Sequence, residues 1–368
     1  MRTSLILTRY IIREIIAPLL VMLAVLLVLF AVYCTTHYLE DAVYGLMPVD
    51  TVIKLVALKL VTSLEVLIPS CLYLSVIIGL GRLYKDGEIT ALFSSGIGLG
   101  RLLTVVLCLS LAVSILVAVL SLWVRPWAYE KCYRLKARAK AEFDVTLLKP
   151  GRFYKIGRGK QVIFIDRIDQ QRKKAQGVFM EKDRTDENGL LKVMYAKEAL
   201  QYPDPATGIQ KVLFLNGHSY KFPNPGKGGG SVMEFRQLAL SLWPKEINTL
   251  TYKKKAASTV HLSRSQASSD IAELQWRLFA PLSAILLPLL GIPLSRTTAR
   301  EGKYAKLVMG LFVYALYYSM ATMARIFVEQ ERIPPFPGIW WVQGLLVVLI
   351  LVLLVHPSQQ FGRFRGIR

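Results

Sequence analysis

Charged side chains are scarce in this sequence. Only 19% of the 368 residues are charged and 53% are hydrophobic, whereas an average soluble domain carries about 25% charged residues. This composition excludes a disordered chain and a small disulfide scaffold. It also argues against a purely soluble enzyme, because the excess of apolar residues is concentrated in long uncharged segments.

The residues that catalysis and metal binding most often use are also few. Three of the four cysteines lie in apolar segments and Cys132 has no obvious partner, so we predict neither a disulfide framework nor a cysteine metal site. The four histidines form no HExxH motif. Neither a G-x-S-x-G elbow nor a G-x-x-x-x-G-K-[S/T] phosphate loop is present. We therefore expect no metal, no cofactor and no enzymatic activity, with energy supplied by a partner or an ion gradient.

Long uncharged segments predict an integral membrane protein with six transmembrane helices. A helix needs about 20 apolar residues to cross the hydrocarbon core. The second segment is the least regular, since it contains Lys54, Lys59 and Glu65, but an even number of crossings requires it. The six predicted spans are Ile15 to Thr36, Val52 to Gly81, Leu102 to Val124, Leu278 to Ser295, Leu307 to Ala324 and Ile333 to Val355.

Basic residues predict the orientation of these spans. Lys and Arg cluster at the N-terminus, between spans two and three, between spans four and five, and in the C-terminal tail. The positive-inside rule therefore puts both termini in the cytoplasm. A net charge of +21 suggests nucleic acid, anionic lipid or a phosphorylated ligand. Because part of that charge is the topology signal of a membrane protein, we expect no nucleic-acid partner.

A long insert between spans three and four predicts a separate external domain. Short β-rich runs such as Gln161 to Asp166 and Lys211 to Leu215 alternate with turn signals such as Pro203 to Gly208. Many short strands of this kind predict an all-β, jellyroll-like fold. We expect its apolar core to include Val162, Phe164, Val212, Phe214 and Phe235. The predicted domains are residues 1–125 with three spans, residues 126–268 with the β-domain, and residues 269–368 with three spans and a tail.

The loop between spans two and three holds the most informative segment. Asp86 and Glu88 stand at the start of a short predicted helix, where the positive end of the helix dipole favours carboxylates. Ile89, Leu92 and Phe93 follow at the spacing of one apolar helix face. Two interpretations remain open: an amphipathic loop lying on lipid headgroups, or a coupling helix, residues 84–96, docked on a cytoplasmic ATPase.

Three motifs carry a resemblance to a known family. The run Leu-Tyr-Lys-Asp-Gly-Glu-Ile-Thr, residues 83–90, resembles the coupling-helix motif of the lipopolysaccharide export permeases, the LptF/LptG family. The run Arg-Tyr-Ile-Ile-Arg-Glu, residues 9–14, resembles that family's N-terminal signature. Glu-Leu-Gln-Trp-Arg at 273–277, followed by Pro-Leu-Ser at 293–295, looks more like the LptF branch than its sister LptG.

This resemblance implies a place in an ABC-type exporter of the cell inner membrane. The permease would pair with LptG and a dimer of the ATPase LptB, which binds the ATP and magnesium, and would pass lipopolysaccharide through its periplasmic β-domain to LptC. The family's coupling glutamate corresponds to Glu88, with Tyr84, Asp86, Ile89 and Leu92 as neighbours in the coupling segment.

The resemblance also directs attention to basic residues that could bind lipid phosphates. Arg325, at the outer end of span five, is one candidate, and a snorkelling arginine is the alternative. Lys59 lies within span two, His37 contributes only when protonated, and Arg134 belongs to a basic helix that is otherwise a solvated face. Glu65 would repel phosphate, so we expect it to pair with a cation on a neighbouring helix.

Two other classes of protein stay open on sequence grounds. One is a membrane-anchored receptor or scaffold with a periplasmic β-domain, and it differs from a transporter by never holding lipid among its spans. The other is an intramembrane enzyme, which is disfavoured because the sequence shows no combination of nucleophile, base and metal ligands.

Overall fold

The computed structural model describes residues 2–43, 47–141, 150–156, 161–169, 174–182, 191–203, 210–222, 230–241, 253–296 and 305–355. These residues belong to two compact units. A helical unit is drawn from residues 1–34, 57–131 and 252–368, and a second unit, which contains the β-sheet, from residues 35–56 and 132–251.

In the part of the chain that the structure describes, five helices are long and apolar enough to cross a membrane. The predicted sixth span, Ile333 to Val355, contains a further apolar helix of only 16 residues, so the described residues show five helices of spanning length where the sequence predicts six. In chain order the α-helices of the described residues are α1 Arg2–Val43, α2 Val49–Lys85, α3 Glu88–Ser94, α4 Leu99–Val119, α5 Arg125–Ala141, α6 Thr259–Arg264, α7 Ser268–Leu294, α8 Ala305–Glu329 and α9 Trp340–Val355. Two of them, α3 and α6, are short, and α5 continues the span that begins with α4.

Helices α4 and α5 are one continuous rod. Between them lies a single π-helical turn, Leu120–Val124, and the rod as a whole is one of the five candidate spans. A π-helical turn inserts one extra residue into the helical repeat and often marks a functional position. Here it directly precedes Arg125 and so sets the direction in which that side chain leaves the rod.

Two large apolar clusters and a smaller one, between α2, α4 and α7, hold the helical unit together. One of the large clusters packs side chains of α2 against α7, α8 and α9. The other packs α1, α2, α3 and the start of α4. Most of the apolar stretch of α2 and of α7 is buried, whereas α1 and α8 expose most of theirs. Helices α2 and α7 are therefore the centre of this unit, and α1 and α8 present their apolar faces outward.

The sheet of the second unit confirms the predicted all-β part of the fold. It contains six antiparallel strands that neighbour one another in chain order. The strands are β1 Arg152–Ile156, β2 Gln161–Asp169, β3 Lys174–Lys182, β4 Leu191–Pro203, β5 Gln210–Phe222 and β6 Ser231–Ser241.

A line of interrupted pairing crosses five of the strands. At this line Asp166, Gly177, Lys197, Asn216 and Arg236 stand opposite one another without joining the ladder. Gly177 and Asn216 have positive φ angles of 61° and 50°, a conformation that glycine adopts freely and asparagine tolerates. The strict alternation of the two faces of the sheet shifts by one residue here.

This shift keeps the same face of the sheet apolar on both sides of the line of interrupted pairing. Consecutive core residues of one strand are three positions apart across the line instead of two, as with Ala175 and Val178 or Ala196 and Ala199. Further core side chains are Ile163, Ile165, Met180, Met194, Val212, Phe214 and Phe235.

The predicted core of the sheet is correct for three residues and wrong for two. Val212, Phe214 and Phe235 are buried as expected. Val162 and Phe164 are only half-buried, because alternation along β2 turns their neighbours Ile163 and Ile165 toward the core instead. Phe164 packs on the other face against Phe153, with 4.8 Å between ring centroids.

We predict that Ile165→Ala destabilises the sheet far more than Val162→Ala. Ile165 is completely buried, and removing such a side chain costs about 2–5 kcal/mol. Val162 lies on the half-buried face, so its replacement by alanine should lower the free energy of unfolding by less. Limited proteolysis of the full chain at rising temperature, scored for cleavage within residues 150–241, measures the difference. Equal losses in the two variants would contradict the assigned faces.

Candidate functional site

The predicted coupling segment contains a short, sharply bounded helix. Helix α2 ends at Lys85, and α3 begins at Glu88 after Gly87, which has a φ of 75°. Gly96, with a φ of 83°, follows the end of α3. Both turns need the left-handed backbone region, which glycine supplies without steric cost. The chain can therefore leave α2 at Lys85, form the two turns of α3 and enter α4 at Leu99.

One face of α3 is anchored in the helical unit. Ile89 is 1% exposed and belongs to the cluster formed with Ile11 and Ile15 of α1. Leu92 and Phe93, predicted to share this face, are half-buried, and Thr90, Ala91 and Ser94 are exposed. The helix thus has an inner side that packs on α1, α2 and α4 and an outer side available to a partner.

The acidic residues of this segment have different partners. The Tyr10 hydroxyl donates to both carboxylate oxygens of Glu88, at 2.8 and 3.1 Å. Asp86 forms an exposed ion pair with Arg82, at 3.5 Å. Tyr84 is half-buried and packs against the same apolar cluster as Ile89. Sequence reasoning missed Tyr10, although it belongs to the N-terminal motif at residues 9–14.

The predicted lipid contacts fall in both units. Lys59 and Arg325 belong to the helical unit, and His37 and Arg134 to the unit with the sheet. His37 is exposed, with its ring 5.3 Å from that of Tyr38. Arg134 is exposed on α5. Of these four residues, the described geometry brings together only Lys59 and Arg325: Arg325 belongs to a common group of charges, and Lys59 borders it.

That group, which we term the charge cluster, consists of Glu65, Arg125, Glu273, Arg277 and Arg325. Glu273 accepts from three arginines. Its Oε1 lies 3.1 Å from Arg125 Nη2 and 3.3 Å from Arg277 Nε, and its Oε2 lies 2.6 Å from Arg325 Nη2. Arg125 also pairs with Glu65, which confirms the predicted pairing of Glu65 with a cation on another helix.

The charge cluster also fastens the segment that precedes α7. Arg277 donates to the backbone carbonyls of Lys254 and Lys255, at 3.3 and 3.2 Å, and to the Thr259 hydroxyl, at 3.1 Å. The Thr259 hydroxyl in turn donates to the Leu122 carbonyl in the π-helical turn, at 2.7 Å. Residues 254–259, the π-helical turn and α7 are thereby tied together around one arginine.

Positive charge exceeds negative charge in and around the cluster. Its three guanidinium groups face two carboxylates. The ring of Tyr129 lies beside it, with the Lys59 ammonium 4.7 Å and the Lys255 ammonium 5.6 Å from the ring centroid. Burial, reinforced by the charges of Arg325 and Arg125, lowers the pKa of the Lys255 ammonium. An anion is therefore electrostatically favoured at this place.

Arg325 is not a simple snorkelling residue. It is largely buried, pairs with Glu273 and has its guanidinium carbon 4.9 Å from the centroid of the Trp276 ring. Lys54, by contrast, is exposed and pairs with Asp50 one turn away, at 3.0 Å. Lys54 is therefore not part of the charge cluster.

We predict that Glu273→Gln strongly destabilises the helical unit. The substitution leaves three guanidinium groups without their shared carboxylate, and breaking a buried ion pair costs about 3–5 kcal/mol. Asp50→Asn is the matched control, because it breaks an exposed pair worth at most about 1 kcal/mol. Size-exclusion chromatography after heating in detergent compares the two variants. A similar loss in both would show that the cluster adds no particular stability.

Comparison with known proteins agrees with this geometry. The family model described as "Lipopolysaccharide export system permease LptF/LptG" matches residues 9–356. The chain is 24% identical, over 98% of its own length and 98% of theirs, to proteins named "Lipopolysaccharide export system permease protein LptF" from Escherichia coli strain K12 and from Shigella flexneri. The match covers the coupling segment, the charge cluster and the sheet. The chain therefore belongs to the LptF/LptG family of lipopolysaccharide export system permeases.

Proposed function

We propose that this chain is the LptF-type permease subunit of an ABC-type exporter and that ATP hydrolysis in a partner drives it. The relatives named LptF support the assignment to that branch over LptG. Since the sequence has no phosphate loop of its own, an LptB dimer would bind ATP and magnesium. The cargo is lipopolysaccharide, taken from the inner membrane and delivered to the periplasmic bridge.

The placement of α3 is the observation that carries this proposal. Its inner side is packed into the helical unit through Ile89, and its outer side is exposed. A groove on the ATPase would receive the outer side, and Glu88 would offer its carboxylate to a cation there. Motion of the ATPase would then reach α1, α2 and α4 through their shared apolar cluster.

The orientation that we propose follows from the basic loops. Arg82, Lys85 and Arg101 flank α3, so this segment and both termini would lie in the cytoplasm. The sheet, inserted between the third and fourth spans, would then lie in the periplasm, where LptC would receive the lipid. LptG would pair with this subunit in the membrane, and the exposed apolar faces of α1 and α8 are available for that contact or for lipid.

The lipid phosphates would be attracted to the positive side of the charge cluster. Lys59 and Lys255 lie beside Tyr129, and Arg325 is close enough to Lys255 to lower its pKa. Because the Arg325 guanidinium already pairs with the Glu273 carboxylate, we assign the first contact with a lipid phosphate to Lys59. His37 and Arg134 remain candidates for contacts in the other unit.

We predict that Glu88→Lys abolishes co-purification of the ATPase or ATP-driven release of lipopolysaccharide, because it reverses the charge at the docking surface. Glu234→Lys makes the same change at an exposed position of β6 and should leave ATPase binding intact. The measurement is ATPase content and lipid release in the purified complex. Normal binding and normal release with Glu88→Lys would refute the coupling role.

We predict that Lys59→Gln lowers the lipopolysaccharide bound to the purified complex several-fold. Lys54→Gln removes the same charge from the same helix at an exposed position and should have little effect. Mass spectrometry of the detergent-extracted complex reports both partners and lipid. If neither variant alters the lipid content, the phosphate contact is wrong; if no variant or wild-type complex carries lipopolysaccharide, the scaffold interpretation is favoured.

A further inference from the structure

The carboxylate of Glu88 is held by a residue 78 positions earlier in the chain. Tyr10 of α1 donates its hydroxyl hydrogen to the Glu88 carboxylate, and its oxygen lies 2.8 and 3.1 Å from the two carboxylate oxygens. Both side chains lie at the surface of the helical unit, so this contact is where α1 meets the exposed side of α3.

Helix α3 cannot orient Glu88 by itself. It has only seven residues, and its N-cap is Gly87, which offers no side chain to the free backbone N–H groups. Helices this short are unstable in water without external contacts. Burial of Ile89 fixes which side of α3 faces inward, but rotation of the Glu88 side chain about its own bonds is restrained by the Tyr10 hydroxyl.

The start of α1 has one side that contacts Glu88 and another that packs into the core of the helical unit. Tyr10 and Glu14 are one turn apart on its outer side, whereas Ile11 and Ile15 are one turn apart on its buried side. The buried pair packs in the same cluster as Ile89. A single turn of α1 therefore anchors both the apolar side and the carboxylate of α3.

Two more contacts hold α1 against the flanks of the coupling segment. Glu14 pairs with Arg82 of α2 at 3.1 Å, and Arg101 at the start of α4 donates to Thr8 at 3.5 Å. Helices α1 and α2 approach so closely that a methyl group on Gly79 would lie 2.7 Å from the Glu14 carbonyl oxygen. The N-terminal turns of α1 thus contact the helix before α3, α3 itself and the helix after it.

We propose that Tyr10 is a positioning residue for Glu88 and that the N-terminal motif at residues 9–14 serves to orient the coupling carboxylate. The proposal rests on the coupling role proposed above for Glu88. A carboxylate has about four acceptor sites, so one tyrosine donor leaves room for a cation from the ATPase. The Tyr10 contact therefore orients the carboxylate without blocking it.

Removal of one hydroxyl tests this proposal. Tyr10→Phe should leave complex assembly intact, because the ring stays in place, and should lower ATP-driven lipopolysaccharide release about three- to tenfold, the range expected for one hydrogen bond. Tyr33→Phe removes a hydroxyl from an exposed tyrosine of the same helix and should leave the rate unchanged.

The decisive measurement is the same substitution in a Glu88→Ala background, because the amide oxygen of a glutamine would still accept from the Tyr10 hydroxyl. If Tyr10 acts through Glu88, Tyr10→Phe adds no further loss to Glu88→Ala. An equal fold-loss in both backgrounds would overturn the positioning role while leaving the coupling role of Glu88 in place. If Glu88→Ala by itself changes neither release nor ATPase binding, the coupling role fails and the positioning role fails with it.

Discussion

One buried carboxylate, Glu273, neutralises guanidinium groups from three directions, and the arrangement of the helical unit depends on it. Arg125 comes from the rod of α4 and α5, Arg277 from α7 itself and Arg325 from α8, while Glu65 adds α2 through Arg125. Charges buried in a low-dielectric interior are tolerated only in pairs or networks. The four elements must therefore keep their register at this level, and Arg277 extends the constraint to residues 254–259.

The coupling segment is held in a different way. Its contacts are one buried isoleucine, a half-buried apolar side and a few exposed polar bonds, none of which carries the cost of separating buried charges. The helical unit thus combines a region whose rearrangement would separate buried charges with a region held by apolar packing and exposed polar contacts. The coupling role proposed for α3 would depend on this contrast, because motion at α3 moves the other helices only if the body behind it resists deformation.

The sequence predicts the secondary structure well where a regular repeat or an unbroken apolar segment determines it. Uncharged segments located the long helices, and the turn signals located most strands. Strand β4 continues through Leu191–Pro203 although pairing is interrupted at Lys197, because that interruption is one position of a line shared with the neighbouring strands. The predicted burial of Val162 and Phe164 is wrong, because the alternation along β2 places these two residues on the half-buried face. The partners of Glu88 and Arg325 lie 78 and 52 residues away, and no local pattern encodes such pairings.

The line of interrupted pairing from Asp166 to Arg236 divides the sheet into two halves. Because backbone pairing is already absent along this line, a change in the angle between the two halves breaks few hydrogen bonds. Each half keeps its own backbone ladder, and apolar side chains cover the same face of both halves. The shape of the apolar face can therefore change along this line at the cost of few backbone hydrogen bonds.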